Sequence, residues 1–312
     1  MRKRPIPLLN FAALFLLILV VAGLARLPAV QRQELWIAFR SLVAWLPVLY
    51  GVVAISYAGR YLRWRMLLKR LDIGDFSWSE LLLWFRGFAL TATPAKVGEL
   101  SRIQLLHERL GYPRLPLVHV FAAERCSDLL AVFSLLLILA PAQIFKVFSR
   151  VTSSSVYVVI FVSAIIALSI CCTPLSARLS QWWKRQRHRL PSGALGSAML
   201  PASIISLLVW ANESLVLWLL VKVLTSNSIS ISAAVVIYLV SGTAGMVSSL
   251  PGGIGVNEGA TVLLLAQQGV PVTVALPIAV LRRLITLWSM VALAALAGAF
   301  PLNSWRSSRA GF

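Results

Sequence analysis

Charge is what this sequence has least of. Only 12% of its 312 residues are charged and 10 are acidic, whereas 59% are hydrophobic and the mean hydropathy is +0.85. That leaves too little polar surface to coat a water-soluble core, so a soluble enzyme or soluble binding module is excluded. Cysteine is equally scarce. Cys126, Cys171 and Cys172 are odd in number and lie in apolar stretches, which argues for small packing residues and against a disulfide framework. The three histidines, His107, His119 and His188, are scattered, and neither H-E-x-x-H nor C-x-x-C occurs, so neither a metal site nor a cofactor is predicted. Gly253-x-Gly255 lacks the third glycine and the preceding soluble strand of a dinucleotide fingerprint, and nucleotide binding is rejected.

What the chain does have is long apolar runs and basic blocks. Runs near 6–25, 36–59, 117–142, 156–172, 199–223 and 275–299 are each about the length that crosses a hydrocarbon core. The first exceeds a signal-peptide core and reads as an uncleaved span. The net charge of +19 sits beside these runs instead of on an amphipathic surface, which fits a membrane and not nucleic acid. Arg60, Arg63, Arg65, Lys69 and Arg70 follow the second run, and Arg178, Lys184, Arg185, Arg187 and Arg189 fill the central loop. With Arg2, Lys3, Arg4, Arg306 and Arg309 they predict two cytoplasmic termini by the positive-inside rule. Trp36, Trp64, Trp78, Trp182, Trp183 and Trp305 fall near the predicted span ends, where indole favours the headgroup level.

Two interrupted regions remain, 79–107 and 231–268. Six full spans join two cytoplasmic termini only if each region enters and leaves on one side, so both read as re-entrant helical hairpins. The first is broken by Thr91-Ala-Thr-Pro94-Ala-Lys-Val-Gly98-Glu99 and the second by Ser249-Leu-Pro251-Gly252-Gly253-Ile-Gly255-Val-Asn-Glu258. Each reads Pro-x-x-x-Gly followed closely by Glu, residue types that remove backbone donors and permit unusual dihedrals. Such backbone persists at membrane depth only inside protein or along a wet cavity. Arg125 lies 31 residues after Pro94, and Arg282 lies 31 after Pro251. The fold class is therefore an all-α polytopic bundle in one domain, 1–312, whose halves form an inverted repeat. In transporters such paired interruptions mark a central site.

The remaining charges are buried by this reading. Glu124, Arg125 and Asp128 fall inside the span that begins near 117, with Glu124 and Asp128 on one helical face and Arg125 able to bridge Asp128. Arg282 and Arg283 lie inside the last span, and Arg86, Lys96, Glu99 and Arg102 flank the first hairpin. Charges at such depth are expensive, and they either line a headgroup cavity or form an internal ion-pair network. Asn257 and Glu258 follow a glycine-rich tip that either offers N–H groups to an anion or forms a plain tight turn. Glu213, beside Asn212, is either a cavity residue or satisfied by a neighbouring helix.

Pro94-x-x-x-Gly98-Glu99-x-x-Arg102, Ala123-Glu124-Arg125-x-x-Asp128 and Leu250-Pro251-Gly-Gly-Ile-Gly255-Val-x-Glu258, followed by Arg282, together resemble the lysylphosphatidylglycerol synthase transmembrane region. This is the flippase-like domain of multiple peptide resistance factors, also found as stand-alone bacterial inner-membrane proteins. The similarity runs from about residue 35 to 300. It implies movement of an anionic or aminoacylated phospholipid, or a lipid-linked precursor, between leaflets, with the lipid and the bilayer as partners and a homo-oligomer compatible. The chain stops at Phe312 without a soluble aminoacyl-transferase domain, so lysyl transfer, and enzyme activity generally, is not expected. Ala95-Lys96 stands where many relatives are more glycine-rich or basic. Lipid movement would spend no nucleotide and either equilibrate lipid or couple to an ion gradient. The alternatives are an intramembrane enzyme with Glu124 or Asp128 as general base, and a scaffold for a separate lipid-modifying enzyme.

Overall fold

Backbone polar groups in hydrocarbon must be satisfied within the protein, and a chain this apolar does so with helices. The computed structural model describes residues 29–93, 98–148 and 196–299, with side chains for 40–93, 98–139 and 196–298, and among these residues no strand occurs. The expected spans at 6–25 and 156–172, the tip residues Pro94 and Lys96, Cys171, Cys172, His188, the central basic loop and both terminal basic clusters lie outside the described residues.

The chain divides into two compact units, 1–47 and 48–312. Of the first, the described part is helical from residue 29, the opening of α1 (Ala29–Lys69). The second contains α2 (Trp78–Arg86), α3 (Ser101–Leu110), α4 (Arg114–Phe148), α5 (Gly196–Leu224), α6 (Ile231–Val247), α7 (Val256–Gln267), α8 (Val272–Arg283) and α9 (Ser289–Ala299). Among the described residues three stretches are long and apolar enough to cross a membrane: Arg40–Lys69, Gly196–Leu224 and Val272–Gly298. α4 has the length but carries Glu124, Arg125 and Asp128 in its apolar run.

Both interrupted regions form broken helices. α2 starts at Ser77, whose hydroxyl accepts from the Glu80 N–H at 3.1 Å, and it runs into a 3₁₀ turn at Gly87–Leu90 before α3 packs against it. α6 starts at Ser230, which caps the Ala233 N–H in the same way, and ends before the 3₁₀ turn Pro251–Gly253. α7 then packs on α6. α4, α5 and α6 contact one another pairwise, so α6 stands at the centre, and Ala233 through Leu239 are all buried. α9 packs on α2 and on the turn at Gly87–Leu90. Thus α9 closes over the first broken segment.

Gly253 sets how closely the second tip approaches α6. Its φ of +69° is left-handed, and a Cβ there would stand 2.8 Å from the backbone of Gly245, which cannot yield. A left-handed residue other than glycine costs about 1–2 kcal/mol before any clash. Gly253→Ala is therefore expected to lower stability by roughly 2 kcal/mol or more. Unfolding of the purified protein in detergent, followed by tryptophan fluorescence, measures this.

Candidate functional site

α4 presents Glu124, Ser127 and Asp128 to the interior, and the helices around it answer with arginine. Arg63 of α1, only 1% exposed, donates to Asp128 at 2.5 Å, reaches Glu124 at 3.5 Å, and bonds the hydroxyls of Ser127 and Ser206. Arg102 of α3 pairs with the other oxygen of Glu124, its guanidinium 4.2 Å from the centroid of Trp64. Arg125 bridges Asp128 at 3.3 Å and Glu99, just before α3, at 3.6 Å. Trp210 Nε1–H on α5 donates to Asp128 at 3.1 Å. The acids are thus shared among several cations, as buried ion pairs require if desolvation is to be offset.

The polar chain continues to the second broken segment. Arg60, one turn before Arg63, stacks over Trp210 and pairs with Glu213 at 2.8 Å. Glu213 also accepts from the Tyr238 hydroxyl of α6 at 2.8 Å. The face of Tyr238 meets Arg282 of α8, 5.1 Å from its centroid. Arg282 then donates to Thr261 Oγ1 at 3.0 Å, to Ser241 Oγ at 3.2 Å, and to Asn257 Oδ1. Arg283, its sequence neighbour, takes a separate direction. It pairs with Glu258 at 3.0 Å and donates to the carbonyl of Gly252 at the tip. A π-helical turn, Leu284–Trp288, follows immediately, a local widening often found at functional positions.

Arg282 is unlike the rest. It is 2% exposed, its named partners are neutral, and among the described residues no carboxylate pairs with it; its Nε bonds nothing there. Among the described residues of the network, six arginines (60, 63, 102, 125, 282, 283) accompany five carboxylates (99, 124, 128, 213, 258), and Arg282 is the one that pairs with none of the five. Such a group is prepared for an anion, because a guanidinium offers planar, charge-assisted donors to phosphate or carboxylate. Among the described residues no three His, Cys, Asp or Glu side chains are grouped to hold a metal.

Several sequence expectations change. Arg60 and Arg63 belong to the buried network and not to a loop-side basic cluster, because α1 continues helically to Lys69 and carries both inward. Trp64 is fully buried in protein, donating to Glu80 at 3.2 Å, instead of facing lipid headgroups; Trp78 is exposed. Cys126 is exposed, not a packing residue, since it turns away from the acidic face of α4. Glu213 is satisfied by its neighbours Arg60 and Tyr238. At the second tip the Gly255 N–H is taken by the Glu258 carboxylate at 2.7 Å, so that donor is engaged within the chain. Gly98 donates to Thr93 Oγ1 at 2.7 Å. Sequence reasoning misses Arg60, Arg63, Tyr238, Ser241 and Thr261 as site residues; the signal for the first two is their i,i+3 spacing within one helix face.

The chain belongs to the lysylphosphatidylglycerol synthase TM region family, whose profile matches residues 8–294, and is accordingly a multi-pass membrane protein with a lipid-related role. A "UPF0104 membrane protein" of Methanothermobacter thermautotrophicus (strain Delta H) is 38% identical to it over 93 residues, 30% of this chain. The match spans 28% of that relative's length. No solved structure matches the chain.

Proposed function

We propose that the protein moves an anionic or aminoacylated phospholipid, or a lipid-linked precursor, between the leaflets of the cytoplasmic membrane, its headgroup entering the polar interior and its phosphate meeting Arg282. The observation that carries this reading is a buried guanidinium with only neutral partners among the described residues, at the end of a polar chain linking two broken helical segments. A purely structural ion-pair network would be expected to balance its own charges. This one ends, among the described residues, with a cation in excess.

The architecture that goes with the reading is six spans and two re-entrant hairpins related as an inverted repeat, with both termini cytoplasmic. It is supported by a correspondence between the halves that lies one residue beyond the 31-residue register of Arg125 and Arg282: Arg125 pairs with Glu99 after the first tip, and Arg283, not Arg282, pairs with Glu258 after the second. In each half, the helix after the hairpin reaches back to the glutamate that follows the tip. We read the protein as a transporter and not an enzyme. Glu124 and Asp128, the candidate bases, are each already engaged in ion pairs with two arginines.

Reconstituted into vesicles carrying a headgroup-labelled phospholipid, the protein is expected to expose inner-leaflet label to a membrane-impermeant quencher faster than empty vesicles do. Rates equal to those of empty vesicles across anionic and aminoacylated lipids would overturn the proposal.

A further inference from the structure

Two of the long apolar helices, α1 and α5, meet along only part of their length. Gly59 brings them together, since a Cβ there would lie 2.8 Å from Val209 Cγ2. Beside this contact runs an open groove of about 790 Å³, from Ser56 and Asn212 at one end to Tyr61, Arg65 and Phe76 at the other. It is a site separate from the charge network and its lining is almost wholly apolar.

Three features say what fits it. The first is depth. From Ser56 to Arg65 the helix rises about 14 Å, about half of a hydrocarbon core of ~30 Å, so the groove is one leaflet deep. The second is the wall: Ile55, Leu62 and Leu208 are 64%, 61% and 61% exposed along helices that cross the membrane, so hydrocarbon is the medium they face. The third is the polarity of the two ends. Asn212 donates to Ser56 Oγ at 2.8 Å and to the Val52 carbonyl at 2.7 Å, so that end needs nothing further. At the other end the Tyr61 hydroxyl is buried and has no hydrogen-bond partner among the described residues. Arg65 stands beside it, held by Glu80 at 2.7 Å and the Gly74 carbonyl at 3.2 Å. Exposed Phe76 and Trp78 pack edge to face at 5.5 Å nearby, an aromatic pair of the kind that sits at headgroup level.

We propose that this groove holds one acyl chain of a glycerophospholipid drawn from the surrounding bilayer, with an ester or phosphate oxygen of that lipid accepting from the Tyr61 hydroxyl at the Arg65 end. The chain fills the apolar length and the oxygen satisfies the orphaned hydroxyl. The proposal concerns occupancy, not movement, and stands apart from the transport reading.

Native mass spectrometry of the full chain in detergent, titrated with dioleoyl phosphatidylglycerol, tests it. Leu208→Trp and Ile55→Trp fill the groove from exposed positions, and both are compared with wild type at matching thermal midpoints. One tightly retained phospholipid is expected for wild type and at least tenfold weaker retention for either tryptophan variant. Tyr61→Phe, which keeps the ring, is expected to weaken retention about fivefold, the equivalent of one net hydrogen bond of about 1 kcal/mol. Wild-type retention by both tryptophan variants, or no change on removing the hydroxyl, would overturn the proposal. Retention in a protein that fails to move lipid would uphold it and count against transport alone.

Discussion

Replacing Arg282 with methionine is expected to reduce lipid movement by roughly ten- to a hundredfold while leaving the protein folded. The size follows from what the guanidinium would give a bound phosphate: a charge-assisted hydrogen bond contributes about 1.5–3 kcal/mol, and among the described residues no carboxylate occupies this buried cation. Retention of the fold follows from its partners. Thr261 also donates to the Asn257 carbonyl at 2.7 Å, and Ser241 to the Tyr238 carbonyl at 3.2 Å, so both hydroxyls keep a bond when the guanidinium leaves. Of the three acceptors, only Asn257 Oδ1 is left without its hydrogen bond, a cost of about 1–3 kcal/mol, and removing an uncompensated buried charge offsets part of it. Arg282→Lys retains the charge but not the planar fork, and should fall between methionine and wild type. The vesicle assay and a thermal unfolding curve on the same preparations separate the two effects. A large loss of stability with Arg282→Met, or unchanged lipid movement, would remove Arg282 from the headgroup path.

The contrast between Arg282 and Arg63 also measures how far the sequence can be read. The interrupted regions are legible because proline and glycine break apolar runs locally, and the second, α6 to α7, falls within the expected 231–268. Buried charge on α4 is legible because Glu124, Arg125 and Asp128 stand inside an apolar run. Arg60 and Arg63 are not. They lie four and seven residues after Ser56, in a sequence that grows more basic toward Arg70, and hydropathy reads that gradient as a helix leaving the membrane. Only the continuation of α1 to Lys69, with α4 and α5 beside it, turns two of those arginines inward. The neutral partners of Arg282 are hidden for another reason. Ser241, Thr261 and Asn257 are unremarkable in composition, and their convergence depends on α6, α7 and α8 packing together. Helix existence is a local property; which side chains meet across helices is not.

The largest structural effect is expected at Arg63. Arg63→Met removes the cation that joins Glu124 to Asp128, leaving Glu99, Glu124 and Asp128 to share Arg102 and Arg125 among the described residues. One buried negative charge is then uncompensated, and breaking a buried pair in this way costs about 3–5 kcal/mol. Adding Asp128→Asn restores the balance at two carboxylates and two arginines. The amide also keeps an oxygen for the Trp210 N–H, which stands 3.1 Å from Asp128 Oδ1. The double variant is therefore expected to be more stable than Arg63→Met by roughly 2 kcal/mol, and the coupling between the two sites exceeds this by whatever Asp128→Asn costs alone. Denaturant titrations of the two single variants and the double variant, in one detergent, give that coupling directly. Additive losses would mean that water and not Arg63 solvates the carboxylates, making the α4 cluster an open cavity. Coupling of the expected sign would identify Arg63 as the clamp that holds the first half of the network closed. It would leave Arg282, which has no such clamp among the described residues, as the position where an incoming anion finds a counter-charge.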